Sequence, residues 1–133
     1  MQQSQKPVKT HQDEVNFKSD DVKGYQYGIT VDPVRINSLK EFGTPEEIAA
    51  KVVTAEVNRD GIFEVTLLKD PFESKDGAYI LEYLSVGKRG DKHYLNKIFI
   101  NNNELYVLTA QCKEENYSMQ AKEMKETLES FKV

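Results

Sequence analysis

The chain has no tryptophan, one cysteine, two histidines and four prolines among its 133 residues. The lone cysteine, Cys112, permits no intramolecular disulfide and reads as a small buried hydrophobe. With only His11 and His93 there is no HExxH, and no CxxC accompanies them, so the common zinc and redox spacings are missing. Neither a Gly-rich phosphate loop nor a strained nucleophile elbow is present, which leaves no catalytic constellation and reads as a non-enzyme. No apolar run approaches the ~18 residues of a membrane span. Positive charge is not in excess either. Lys and Arg number 18 against 22 Asp and Glu, a net charge of -4, which argues against a nucleic-acid partner. The opening residues carry neither the apolar core of a secretion signal nor an Arg- and Ser-rich transit segment, and read as mature domain sequence.

What is there is an ordinary globular composition, 38% hydrophobic and 30% charged, sized for one domain. Residues 77–112 organise it. Three runs of β-branched, aromatic and leucine residues are separated by Gly87-Lys88-Arg89-Gly90-Asp91 and by Asn101-Asn102-Asn103-Glu104. Gly and Asn tolerate the positive φ of tight hairpins, so the spacing predicts an antiparallel meander. Tyr79, Leu81 and Tyr83 alternate with Ile80, Leu84 and Val86, and neither set is polar. Both faces of the sheet should then be covered. Glu82 and Asn96 interrupt the pattern, and each needs a partner or a route to water.

Residues 1–14 are polar and read as a flexible tail, with the domain occupying 15–133. Val15-Asn16-Phe17 reads as a short edge strand. Tyr25, Tyr27, Ile29 and Val31 form a period-2 strand that Pro33 confines to an edge or an end. Thr44-Pro45-Glu46-Glu47 predicts a helix start, with Thr44 as N-cap and Glu47 completing a capping box. Ile48, Val52, Val53 and Ala55 supply its apolar stripe. Phe63, Val65 and Leu67 alternate in a further strand. Tyr117, Ala121, Met124, Leu128 and Phe131 recur at helical spacing at the C-terminal end. The whole predicts an α+β fold, an α/β/α sandwich with a central antiparallel sheet.

Several stretches in this order resemble the PsbP family of extrinsic photosystem II proteins. They are GITVDPVRINSLKEFGTPEEIAAKVV, then LEYLSVGKRGDKHYLNKIFINNNELYVLTAQC, then the closing SFKV. The resemblance implies an accessory or assembly factor of the oxygen-evolving complex, associated with calcium. It implies a thylakoid-lumen location, photosystem II lumenal subunits as partners, and a monomer peripheral to the membrane. Members open with a Trp-bearing strand pair before the position of Val15, so this chain is expected to lack the first strands of the domain. The same fold is similar to that of small Ran-binding proteins, which leaves a general protein-binding module as the alternative.

One candidate metal site follows. A two-residue turn at Asn102-Asn103 sets Asn101 opposite Glu104 and therefore His93 opposite Cys112, with Glu114 diagonal to the histidine. The resemblance implies a cation held between His93 and the carboxylate at position 114, and Asp91 is a candidate third ligand. Imidazole with carboxylates suits zinc or manganese better than calcium, in an open and weak site. The plain alternative is a histidine at a sheet end beside acids that hold nothing.

Overall fold

The computed structural model describes residues 2–4, 13–18 and 26–130, and two asparagines set the register of its sheet. Asn102 and Asn103 have φ of 51° and 61°, the left-handed pair that closes a two-residue hairpin. They join β7 (Gly90–Asn101) to β8 (Glu104–Lys113), and Asn101 pairs with Glu104 and His93 with Cys112, as the turn chemistry requires. The remaining strands are β1 (Gln2–Ser4), β2 (Asp13–Lys18), β3 (Gln26–Pro33), β4 (Ile62–Leu67), β5 (Phe72–Glu73) and β6 (Tyr79–Gly87). Their order across the sheet is β1-β2-β3-β8-β7-β6-β4, with β5 also on β6. Every pairing is antiparallel.

Two helices cover opposite faces. Helix α1 (Pro45–Val57) starts as its sequence demands: the Glu47 amide donates to Thr44 Oγ1 and the Thr44 amide to Glu47 Oε1. Ala49 of α1 packs with Leu39, Tyr79, Leu81 and Ile98, flanked by Ile48 and Val52. Helix α2 (Tyr117–Ser130) sets Met124 and Leu128 against Leu95, Ala110 and Cys112. Pairing of inward residues on both faces is what makes β6, β7 and β8 apolar on both sides. The sandwich predicted from those two-faced strands is the observed architecture.

Some expectations are corrected. The sheet runs into the segment read as a tail: Gln2–Ser4 pairs with Asn16, Phe17 and Lys18 of β2. Val15, Asn16 and Phe17 also pair with β3, so β2 is flanked on both sides rather than being the first strand. Strands of Gln, Ser and Asn join a ladder through backbone hydrogen bonds and leave no apolar alternation to read. In α1, Ala55 is exposed, and the buried face carries Glu56 beside Ala49. An acid there breaks the apolar stripe that the sequence displays. Phe63 sits at a register shift between Ile62 and Glu64 and is 65% exposed, so it does not share a buried face with Val65. Tyr25, Phe131 and His11 lie outside the described residues.

Candidate functional site

The interior acid of β6 and the histidine of β7 meet on the α2 face of the sheet. Register places Glu82 opposite Leu95 and His93 opposite Leu84, so the two polar residues are diagonal neighbours on one face. His93 Nε2 lies 2.6 Å from Glu82 Oε2, and Nδ1 lies 2.8 Å from Glu114 Oε2. Glu114 begins a one-turn 3-10 segment, Glu114–Asn116, that leads into α2. The first residue of α2, Tyr117, lays its ring on the imidazole, centroids 3.3 Å apart and planes 5° from parallel. Each contact joins an imidazole nitrogen to a carboxylate oxygen within hydrogen-bond distance.

Burial shapes the chemistry. His93 is 3% exposed and Glu82 8%, while the Glu114 side chain keeps 39% of its surface. Lys69 Nζ stands 3.8 Å from Glu82 Oε1 and supplies the nearest balancing cation. The Tyr117 hydroxyl is enclosed without a hydrogen-bond partner among the described residues. Burial, then the charge of Glu82, pushes its pKa up to about 12. Cys112, directly across the ladder from His93, is pushed up to about 11 by burial and then by Glu114. A thiol held protonated in this way is neither a nucleophile nor a ready metal ligand at neutral pH.

Of the three sequence-derived ligands, His93 and Glu114 come together and Asp91 does not. Asp91 falls on the same face one pleat repeat beyond His93, roughly 7 Å along the strand, and its side chain is exposed. Among the described residues no group of three or more His, Cys, Asp or Glu side chains is arranged for a metal. Glu82 takes the place expected of Asp91. Its signal is an acid inside an apolar strand, but the polar break at residues 87–91 does not itself show which two residues turn, and so leaves the register of Glu82 against His93 open.

A second polar cluster lies on the α1 face. Buried Glu56 accepts from Ser85 Oγ at 2.9 Å and from Arg59 Nη1 at 2.9 Å. Stacked Tyr83 and Tyr94 lie beside it, with ring centroids 4.9 Å apart, and burial followed by the Glu56 charge raises both their pKa values. Asn96 finds Thr109 Oγ1 at 2.8 Å for its amide nitrogen, while its oxygen has no partner among the described residues. Both clusters fasten helices to the sheet by hydrogen bonds that cross elements.

The PsbP family profile matches residues 3–133. PsbP domain-containing protein 2, chloroplastic, of Arabidopsis thaliana is 30% identical over 84 residues, which cover 61% of this chain and 36% of the relative. The chain therefore aligns with about a third of that relative's length. In structure, it resembles cyanobacterial PsbP from Synechocystis sp. PCC 6803 with a TM-score of 0.81, over 98% of this chain and 80% of that one, at 14% identity. A protein of unknown function from Pseudomonas aeruginosa, described as a putative regulator, matches with a TM-score of 0.67 at 14% identity, over 95% and 86% of the two chains.

Proposed function

The chain belongs to the PsbP family, and from that premise we propose that it is a non-enzymatic extrinsic accessory or assembly factor of the photosystem II oxygen-evolving complex. The observation that carries this reading is the family match along residues 3–133, together with a relative whose name marks it as chloroplastic. The fold alone would not carry it, because a Pseudomonas protein described only as a putative regulator shares it. The family is a non-catalytic accessory family. The two buried polar clusters accord with that, since their hydrogen bonds join protein groups to one another and so position helices.

The place of action in this reading is the thylakoid lumen, with attachment at the membrane surface. No helix among the described residues is long and apolar enough to cross a membrane, so binding to lumenal photosystem II subunits would hold the chain there. Association with calcium belongs to the same proposal. So does a weak zinc or manganese site at His93 and Glu114, where a cation would take the place of the proton between Nδ1 and the carboxylate.

Fractionation of thylakoids with an antibody to the chain tests the reading. The protein is expected to resist protease until the membranes are opened and to leave them in a salt wash. Digestion in sealed thylakoids would place it on the other side. Co-purification with soluble proteins alone would favour a general binding module.

A further inference from the structure

Strand β4 ends the described sheet, and its residues do little to protect an edge. Edge strands commonly carry lysine or proline, which discourage further pairing. Ile-Phe-Glu-Val-Thr-Leu has neither, and its one charge is Glu64. All but two of the large apolar side chains left exposed among the described residues gather here. Phe63 and Leu67 belong to β4, Leu68 follows it, Phe72 opens β5, and Val57 closes the helix that packs on β4. Apolar side chains concentrated in this way mark an interaction surface.

The backbone of the strand says which residues can pair outward. The Leu68 amide donates to Glu82 O at 2.9 Å, so Leu68 turns its backbone toward β6. Direction alternates along an antiparallel ladder, so Thr66 and Glu64 face β6 as well. Leu67 and Val65 then turn their N–H and C=O groups away from the sheet. No strand among the described residues pairs with that side. The bulge at Phe63 disturbs only the start of β4, and the pairing with β6 is regular from Glu64 to Leu67.

From this we propose that β4 is the seam of a weak homodimer, paired antiparallel with β4 of a second copy. The strand is complementary to itself. A twofold axis at Val65 sets that residue against Val65 of the second copy, Leu67 against Phe63, and Thr66 against Glu64. Outward-facing backbone then meets outward-facing backbone, apolar side chains meet apolar ones, and the acid meets a neutral hydroxyl. Moving the axis one residue toward Glu64 would set that acid against itself, which repels. Moving it one residue the other way would set Glu64 against Leu68. One short strand pair and its flanking side chains fall below roughly 1,200 Å², the range of weak complexes, so a dissociation constant of about 10–100 μM is expected. The seam stands on the edge itself and is independent of the accessory-factor reading.

Sedimentation velocity of the purified chain across a concentration series measures the dimer, and amide shifts on dilution locate it. Wild type should pass from monomer to dimer with shifts centred on residues 63–68. Charge changes at exposed Thr66 then test the register. Thr66→Glu faces Glu64 of the second copy, and the twofold axis repeats the clash, so dimerisation should weaken roughly tenfold. Thr66→Lys should tighten it, and the double variant E64K/T66E should restore it by reversing the pair. That restoration also separates a lost seam from a damaged fold. A chain that is monomeric at every concentration overturns the proposal, as does a dimer that responds alike to Thr66→Glu and Thr66→Lys. A monomer whose residues 63–67 shift only when an alternating valine–threonine peptide is added overturns the second copy and gives the edge to another partner.

Discussion

His93 and Tyr117 lie ring on ring, 3.3 Å between centroids, though one belongs to the sheet and the other opens the last helix. The stack seals the imidazole between two carboxylates and anchors the start of α2 to β7. Removing the histidine would leave Glu82 buried with its closest partner gone.

His93→Ala should therefore cost about 3–5 kcal/mol, the range for one partner removed from a buried charged contact. Glu114→Gln should cost about 1 kcal/mol or less, because that carboxylate is partly in water. Urea midpoints at neutral pH check the order. Equal losses at the two positions would show that Glu82 does not depend on the histidine.

The enclosed hydroxyl of Tyr117 gives a pH signature. Its pKa is raised from 10.0 to about 12, and that of Cys112 from 9.0 to about 11. The folded chain thus holds both protons more tightly than the unfolded chain does. Stability is then fully present below about pH 9 and falls as pH climbs through 11 and 12. Tyr117→Phe should flatten part of that fall, since it removes one of the two raised groups. A variant whose alkaline unfolding matches wild type would contradict the cause assigned.

Leu108 and Lys125 test the assignment of faces. Leu108 is 4% exposed in β8 and Lys125 stands on the outer side of α2. Leu108→Ala should cost about 2–5 kcal/mol, and Lys125→Ala within about 0.5 kcal/mol of nothing. Similar small shifts in denaturant midpoint at both sites would show the buried faces to be misplaced.

The cation reading of His93 and Glu114 has its own check. Zinc or manganese should bind weakly and perturb the backbone signals of residues 93 and 114, with Asp91 little affected because it stands outside the cluster. His93→Ala should abolish the response. Identical titrations of the two proteins would reduce the trio to a purely structural fastening.

These tests also mark what could be read from residues alone. The Asn102-Asn103 turn fixed a register, and everything placed by it, including His93 opposite Cys112, was legible. So were the helix start at Thr44 and the sandwich, because capping and two-faced apolarity are local signals. Glu82 was recognised as an interior acid in need of a partner, but the partner depended on register across a hairpin whose two-residue turn, Lys88-Arg89, was hidden in a longer polar break. Glu56 was invisible because its burial depends on Ser85 and Arg59, the first of them 29 residues away. β1 left no pattern at all, since backbone pairing at a polar edge asks nothing of its side chains.

The central claim is that this chain attaches to photosystem II as an extrinsic subunit. Purified chain added to photosystem II membranes stripped of their extrinsic proteins by salt measures this directly. The account predicts saturable co-sedimentation that high salt reverses and that membranes without photosystem II do not support. Sedimentation that fails to saturate, or that is equal on both kinds of membrane, would contradict it.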